Sequence, residues 1–135
     1  MRDQEARERF AERYRVERVD VELGIEQRVV GGDWGANGYT TITQADNIAV
    51  RLGLRHGDVV LDIGAGRGWP GLYLAVSTAC SVLLADVPRE GLTVAAARIR
   101  AEQLDERAWC VNASARQLPF RTAVFDAIVH TDVLC

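Results

Sequence analysis

The residues best suited to handling a ligand lie in the run Asp58-Val-Val-Leu-Asp62-Ile-Gly64-Ala-Gly66-Arg-Gly68-Trp-Pro70-Gly71. Glycines alternate at 64, 66 and 68, Asp62 precedes them, and a second carboxylate, Asp86, follows 20 residues after Gly66. A turn of this kind can bend sharply and approach a ligand closely, because no Cβ intervenes. Two ligand chemistries suit it. Gly66-x-Gly68-x-x-Gly71 matches a dinucleotide fingerprint, in which a pyrophosphate rests on N–H groups at a helix N-terminus. Asp62-x-Gly64-x-Gly66-x-Gly68 instead sets an acid at the head of the turn. A carboxylate repels a doubly anionic pyrophosphate and attracts a cation. The acid therefore favours a positively charged ligand without phosphate. A tight strand–helix connection with no ligand is the third reading.

These residues need elements to position them. Val59, Val60, Leu61 and Ile63 form a short apolar run closed by glycine, the pattern of a buried parallel strand. Pro70 suits the first turn of a helix, and Leu72, Tyr73, Ala75 and Val76 follow at helical spacing. Ser81–Ala85 reads as a second strand that ends at Asp86, where a carboxylate can accept from both hydroxyls of a ribose. Capping the helix opened by Pro88 is the alternative role for Asp86. That helix turns Leu92, Ala95, Ala96 and Ile99 inward and runs to about Leu104. A third strand spans Trp109–Ala113 and a fourth Phe125–Val129. His56, in the turn before the first strand, reads as a surface histidine.

Upstream, residues 3–28 are dense in Arg and Glu, with Phe10, Tyr14 and Val21 on one narrow apolar stripe. A second stripe through Val16, Val19 and Leu23 predicts a break near Val19. The segment reads as a charged helix capping the domain or as a lid over the site. Gly31–Tyr39 is a loop whose Trp34 and Tyr39 either fold over a ligand or pack on the first helix. Thr41-Ile-Thr-Gln44 predicts a capping box, followed by a helix with Ala45, Ile48, Ala49 and Leu52 on one face and Gly53 as its C-cap.

The acid-then-glycine turn, with Asp86 and two later segments, resembles the class I S-adenosylmethionine-dependent methyltransferases. The later segments are Ser114-Ala-Arg-Gln-Leu118-Pro119-Phe120 and the pair Phe125-Asp126. The cofactor of that family carries a sulfonium and an ammonium and no phosphate, as the charge argument requires. The resemblance implies an α/β fold with a Rossmann-like parallel sheet, partial here, with strand order 3-2-1-4 and N-terminal helices. On this reading 1–57 supplies helices and a glycine-rich loop, and 58–135 a truncated S-adenosyl-L-methionine-binding domain. Cofactor contacts are then expected from Asp62, Gly64, Ala65, Gly66, Gly68, Asp86, Val87, Ser114, Ala115 and His130. Ser114 stands where the family usually carries an acid for the adenine amino group, so that contact is uncharged here. His130, with Thr131 and Asp132, falls at the end of strand 4 beside the expected transfer site. It is a candidate base there, with a plain polar strand end as the alternative. No Asp-Pro-Pro-Tyr, Asn-Pro-Pro-Tyr or Pro-Cys run marks a DNA base methylase. The acceptor is unspecified, and a small molecule is the default. A cofactor-binding or strand-pairing fragment without turnover is the alternative function, and a dinucleotide-dependent oxidoreductase the third.

Composition sets bounds. With 135 residues, 48% hydrophobic and 26% charged, the chain can build one core. A net charge of −3 gives no broad attraction for nucleic acid. Cys80, Cys110 and Cys135 show no CxxC spacing, so buried free thiols and no metal set are expected. The chain is charged from Arg2 onward and has no apolar run of membrane-spanning length, which predicts a cytoplasmic protein with no membrane partner. An apolar strand 4 with no further strand in the sequence predicts a homodimer through that edge, or aggregation, with little methyl transfer. Light scattering and a turnover assay check this, and a stable monomer with ordinary turnover would contradict it.

Overall fold

The β-branched run Val59–Ile63 forms an inner strand of a parallel sheet in the computed structural model, which describes residues 3–16, 18–36 and 38–131. The elements in order are α1 (Asp3–Arg15), α2 (Asp20–Val29), α3 (Ile42–Leu52), β1 (Val59–Ile63) and α4 (Gly71–Thr78), then β2 (Ser81–Asp86), α5 (Arg89–Ala101), β3 (Ala108–Asn112) and β4 (Ala127–Val129). The sheet order is β3-β2-β1-β4 with every neighbouring pair parallel, the α/β arrangement expected from the sequence. Among the described residues β4 has a strand partner, β1, on one side only.

Strand register sorts the side chains into two faces. Ala108, Val82, Val60 and Ala127 align across the sheet, as do Cys110, Leu84, Asp62 and Val129. The apolar members of these rows meet Leu72, Leu74 and Ala75 of α4 and Leu92, Ala95 and Ile99 of α5 in the core. Each buried leucine contributes about 1.5–3 kcal/mol relative to exposure. Val30, Ala45 and Ala49, all before residue 58, belong to the same core. The alternate row, Trp109–Leu83–Leu61–Ile128, turns to the opposite face, and its end residue Ile128 is 56% exposed.

Local signals placed the elements well. Thr41 caps α3 as foreseen: its side chain accepts from the Gln44 N–H while Gln44 accepts from the Thr41 N–H. Gly53 ends α3 with φ of 61°, the left-handed conformation glycine tolerates. Several expectations need correction. The break expected near Val19 does separate α1 from α2, but Val21 then falls on the second helix, 70% exposed, so the buried stripe of α1 is Ala11 and Tyr14. Leu52 is largely exposed at the end of α3, and Pro70 precedes α4 as its N-cap residue. The fourth strand begins at Ala127, because Asp126 is engaged at the head of β1: its N–H donates to Val59 O and its carboxylate accepts from Val59 N–H. Trp34 neither covers the ligand edge nor packs on α1. It lies against Trp69 and Tyr73, with ring centroids 6.0 and 5.4 Å away, while Tyr39 is 83% exposed. Cys80 is buried and free, Cys110 is free and half-buried, and Cys135 lies outside the described residues. Among the described residues no helix is long and apolar enough to cross a membrane.

Two glycine substitutions separate crowding from chain entropy. A Cβ on Gly71 would lie 2.6 Å from Asp62 Oδ2 and 2.7 Å from Leu84 Cδ2, both buried. Gly71→Ala should therefore destabilise the fold by about 1–3 kcal/mol. Gly24, exposed inside α2, has nothing within 4 Å of that position, and Gly24→Ala should stabilise by about 0.5–1 kcal/mol. Denaturant unfolding of both variants measures the contrast.

Candidate cofactor site

The turn after β1 takes its shape from glycine: φ is 70° at Gly64, 55° at Gly66 and 99° at Gly68. Its main chain is tied internally. The N–H groups of Gly64 and Ala65 both donate to Ala85 O, at 2.8 and 3.2 Å, and that of Gly68 donates to Ala65 O at 2.8 Å. Gly66 N–H donates to Asp86 Oδ2 at 2.7 Å, and Gly71 N–H to Asp62 Oδ2 at 3.0 Å. Leu72 N–H, in the first turn of α4, donates to Gly68 O at 2.8 Å. Six N–H groups of the turn and of the start of α4, where a pyrophosphate would rest, thus already have protein acceptors.

Two carboxylates bracket this turn. Asp62, expected beside the ligand, lies under the turn at 1% exposure, and its Oδ1 has no hydrogen-bond partner among the described residues. Burial pushes its pKa well above the usual carboxylate range, the Gly71 N–H opposes this, and nearby Asp86 raises it further. Asp86 sits at the end of β2 with both oxygens occupied once: Oδ2 by Gly66 N–H and Oδ1 by Val87 N–H at 2.8 Å. Burial raises its pKa too, against the lowering effect of those two bonds. Each oxygen keeps a further lone pair for a ligand hydroxyl. Val87 contributes its N–H to that arrangement and does not donate outward.

The register brings the remaining expected residues to the same sheet edge. Asp86 pairs with Asn112, so Ser114 and Ala115 follow β3 just beyond Asp86, and Ser114 Oγ accepts from Arg116 N–H at 3.2 Å. Val129 pairs with Asp62, so His130 falls level with Ile63 at the exposed end of β4. Thr131 follows it, and Asp132 lies outside the described residues. No group of metal-ligating side chains occurs among the described residues.

Sequence reasoning missed three contributors. Asn112 Nδ2 donates to Asp86 O at 3.0 Å and to Val87 O at 2.6 Å, which fixes the loop after β2. Glu26, buried on α2, accepts from the N–H groups of Trp34 and Ala36 at 2.8 and 2.9 Å and pairs with Arg18. Tyr14 lies on the turn itself: a Cβ on Gly66 would meet its hydroxyl at 2.7 Å. An Asn at a strand end is a readable cue for the first. The other two depend on contacts between distant segments and leave no local signal.

This glycine turn, held between two carboxylates, lies at the C-terminal edge of a parallel sheet, the edge at which open α/β sheets take their ligands. A family model for a methyltransferase domain matches residues 60–135, more than half of the chain, and the chain belongs to that family of S-adenosylmethionine-dependent domains. It is similar to methyltransferase GfsG of Streptomyces halstedii, 41% identical over 78 residues that make up 58% of this chain and 28% of that protein. It is also similar to 27-O-demethylrifamycin SV methyltransferase of Amycolatopsis mediterranei (strain S699), 32% identical over 108 residues, 70% of this chain and 40% of that one. Among solved structures, a protein of Methanococcus maripaludis assigned to the S-adenosyl-L-methionine-dependent methyltransferases has a TM-score of 0.62 at 26% identity, over 66% of this chain and 40% of that chain. The cyclase SpnF has a TM-score of 0.60 at 27% identity, over 78% and 43%. The chain thus spans less than half the length of each.

The raised pKa values make stability depend on pH in a definite direction. Between the unfolded carboxylate value of about 3.9 and the raised folded value, the native state binds more protons than the unfolded one. Stability therefore falls as pH rises through that window. Asp62→Asn should flatten this fall and raise the melting temperature at pH 7, as thermal unfolding from pH 4 to 8 will measure. Asp86→Ala should act oppositely, because two half-buried N–H groups lose their acceptor: a destabilisation of about 1–3 kcal/mol, not the near-neutral change that a solvent-accessible side chain would give.

Proposed function

We propose that this chain binds S-adenosylmethionine through the turn at 64–68 and Asp86, and that the domain methylates a hydroxyl oxygen of a small-molecule acceptor. The carrying observation is the state of the turn. The N–H groups of Gly64, Ala65, Gly66, Gly68 and Gly71 have internal acceptors and two carboxylates stand beside the turn, so it offers a phosphate few donors and offers a cation negative charge. The residues present fit the cofactor's chemistry. Asp86 keeps lone pairs for two ribose hydroxyls, and the buried, unpartnered oxygen of Asp62 places negative potential under the turn, suited to an ammonium. Val87, Ser114 and Ala115 border the adenine side of the edge. When bound, the cofactor supplies an electrophilic methyl group on sulfonium.

Turnover of this kind depends chiefly on alignment of the acceptor atom. His130, exposed at the end of β4, takes the proton of the acceptor hydroxyl. A small acceptor is supported by the relative named for demethylrifamycin, and by a cleft of about 410 Å³ that adjoins the turn through Arg67. Val16, Ile25, Val29, Val30 and Tyr39 give that cleft apolar walls. Free thiols at Cys80 and Cys110 suit a cytoplasmic setting. A second reading, ligand binding without methyl transfer, draws on the likeness to SpnF, a protein named for a cyclisation, since a fold alone does not set a reaction.

Calorimetric titration should show S-adenosylhomocysteine binding and no NAD binding at the same concentration. Binding of NAD alone would overturn the cofactor assignment. Methyl transfer to a hydroxylated acceptor, lost in His130→Gln while S-adenosylhomocysteine still binds, would separate the first reading from the second.

A further inference from the structure

Arg67 belongs to the glycine turn, yet its side chain leaves it. The guanidinium Nη2 lies 3.0 Å from Arg13 O and 3.4 Å from both Tyr14 O and Val16 O. These carbonyls are at the C-terminal end of α1, where a helix lacks internal donors and its dipole is negative. The same guanidinium stands over the Tyr14 ring, 5.5 Å from its centroid. Arg67 is only 7% exposed, and a Cβ on Gly35 would sit 3.2 Å from its stem. Tyr14 completes the contact from the α1 side. Its hydroxyl would meet a Cβ on Gly66 at 2.7 Å, and its ring one on Gly91 at 3.1 Å. The exposed Arg15–Glu90 pair also joins α1 to α5, but an exposed ion pair adds little.

We propose that Arg67 is a positioning residue that fastens α1 onto the cofactor turn, so that α1 docking and cofactor binding strengthen each other. The inference rests on the cofactor reading above. Both α1 and the cofactor need the turn in one conformation, with three glycines at positive φ. Glycine loses more conformational freedom on ordering than any other residue. Whichever partner orders the turn first spares the second that loss, which is positive coupling and is reciprocal. Arginine suits the task because its planar fork reaches several carbonyls while stacking on a ring, which a lysine ammonium does not reproduce.

The test uses the full chain and S-adenosylhomocysteine, read by calorimetric titration and by hydrogen exchange of α1 amides. In the wild type, ligand should slow α1 exchange. Arg67→Met should weaken binding about tenfold and abolish that slowing while β1 and β2 amides stay protected. Arg67→Lys should fall between the two, and Arg15→Gln should behave as wild type. Ligand binding with no change in α1 exchange overturns the inference, as does wild-type affinity in Arg67→Met. Should Arg67→Met fail to fold, Arg67→Lys is judged by the same two measurements. A wild type that binds no S-adenosylhomocysteine removes the cofactor reading, and the coupling with it, before any variant is compared.

Discussion

The bond from Gly71 N–H to Asp62 joins the end of β1 to the start of α4, and the turn between them depends on it. A helix leaves its first N–H groups without intrahelical acceptors, and a buried carboxylate satisfies one of them. The same bond forces Gly71 to be glycine, since the carboxylate occupies the space of a side chain. It also leaves Asp62 Oδ1 buried without a partner. A group that costs stability and raises its own pKa under a glycine turn is typical of a site shaped for ligand rather than for folding alone.

Acids are used twice more to close main chain that has no regular structure. Asp86 closes the turn from the β2 side, and Asn112 then holds the carbonyls of Asp86 and Val87 from β3. Glu26 does the same for the loop at 34–36, where two N–H groups converge on one buried carboxylate and Arg18 supplies the opposite charge. A buried ion pair contributes little net stability against its desolvation cost, but it sets one geometry for a loop with many glycines. The walls near Arg67 inherit that geometry.

The sheet carries two unlike faces. One buries its rows under α4 and α5 and makes the core. The other exposes Ile128 and Trp109, although parallel sheets usually bury both faces. The ligand edge is set by the first face alone, since β1, β2, the glycine turn and α4 are mutually braced there. That explains how the turn is firmly held while the surface around His130 stays open to solvent.

What the sequence by itself determined is the local grammar: the glycine turn, the four strands, the α3 capping box, and the acid at the end of β2. These signals lie within a few residues of each other, in apolar periodicity, caps and backbone freedom, so no distant contact is needed to read them. The strand order came instead from the family resemblance, carried by the glycine turn, Asp86 and the segments at 114–120 and 125–126. The tertiary structure decided where the side chains went. Asp62 turned under the loop and not toward its open side, because the start of α4 needed an acceptor. Tyr14, on the charged N-terminal segment, came to rest on Gly66. Arg67 reached carbonyls more than 50 positions away. Such contacts have no local signature, since they arise only when packing brings a helix end and a turn to the same place.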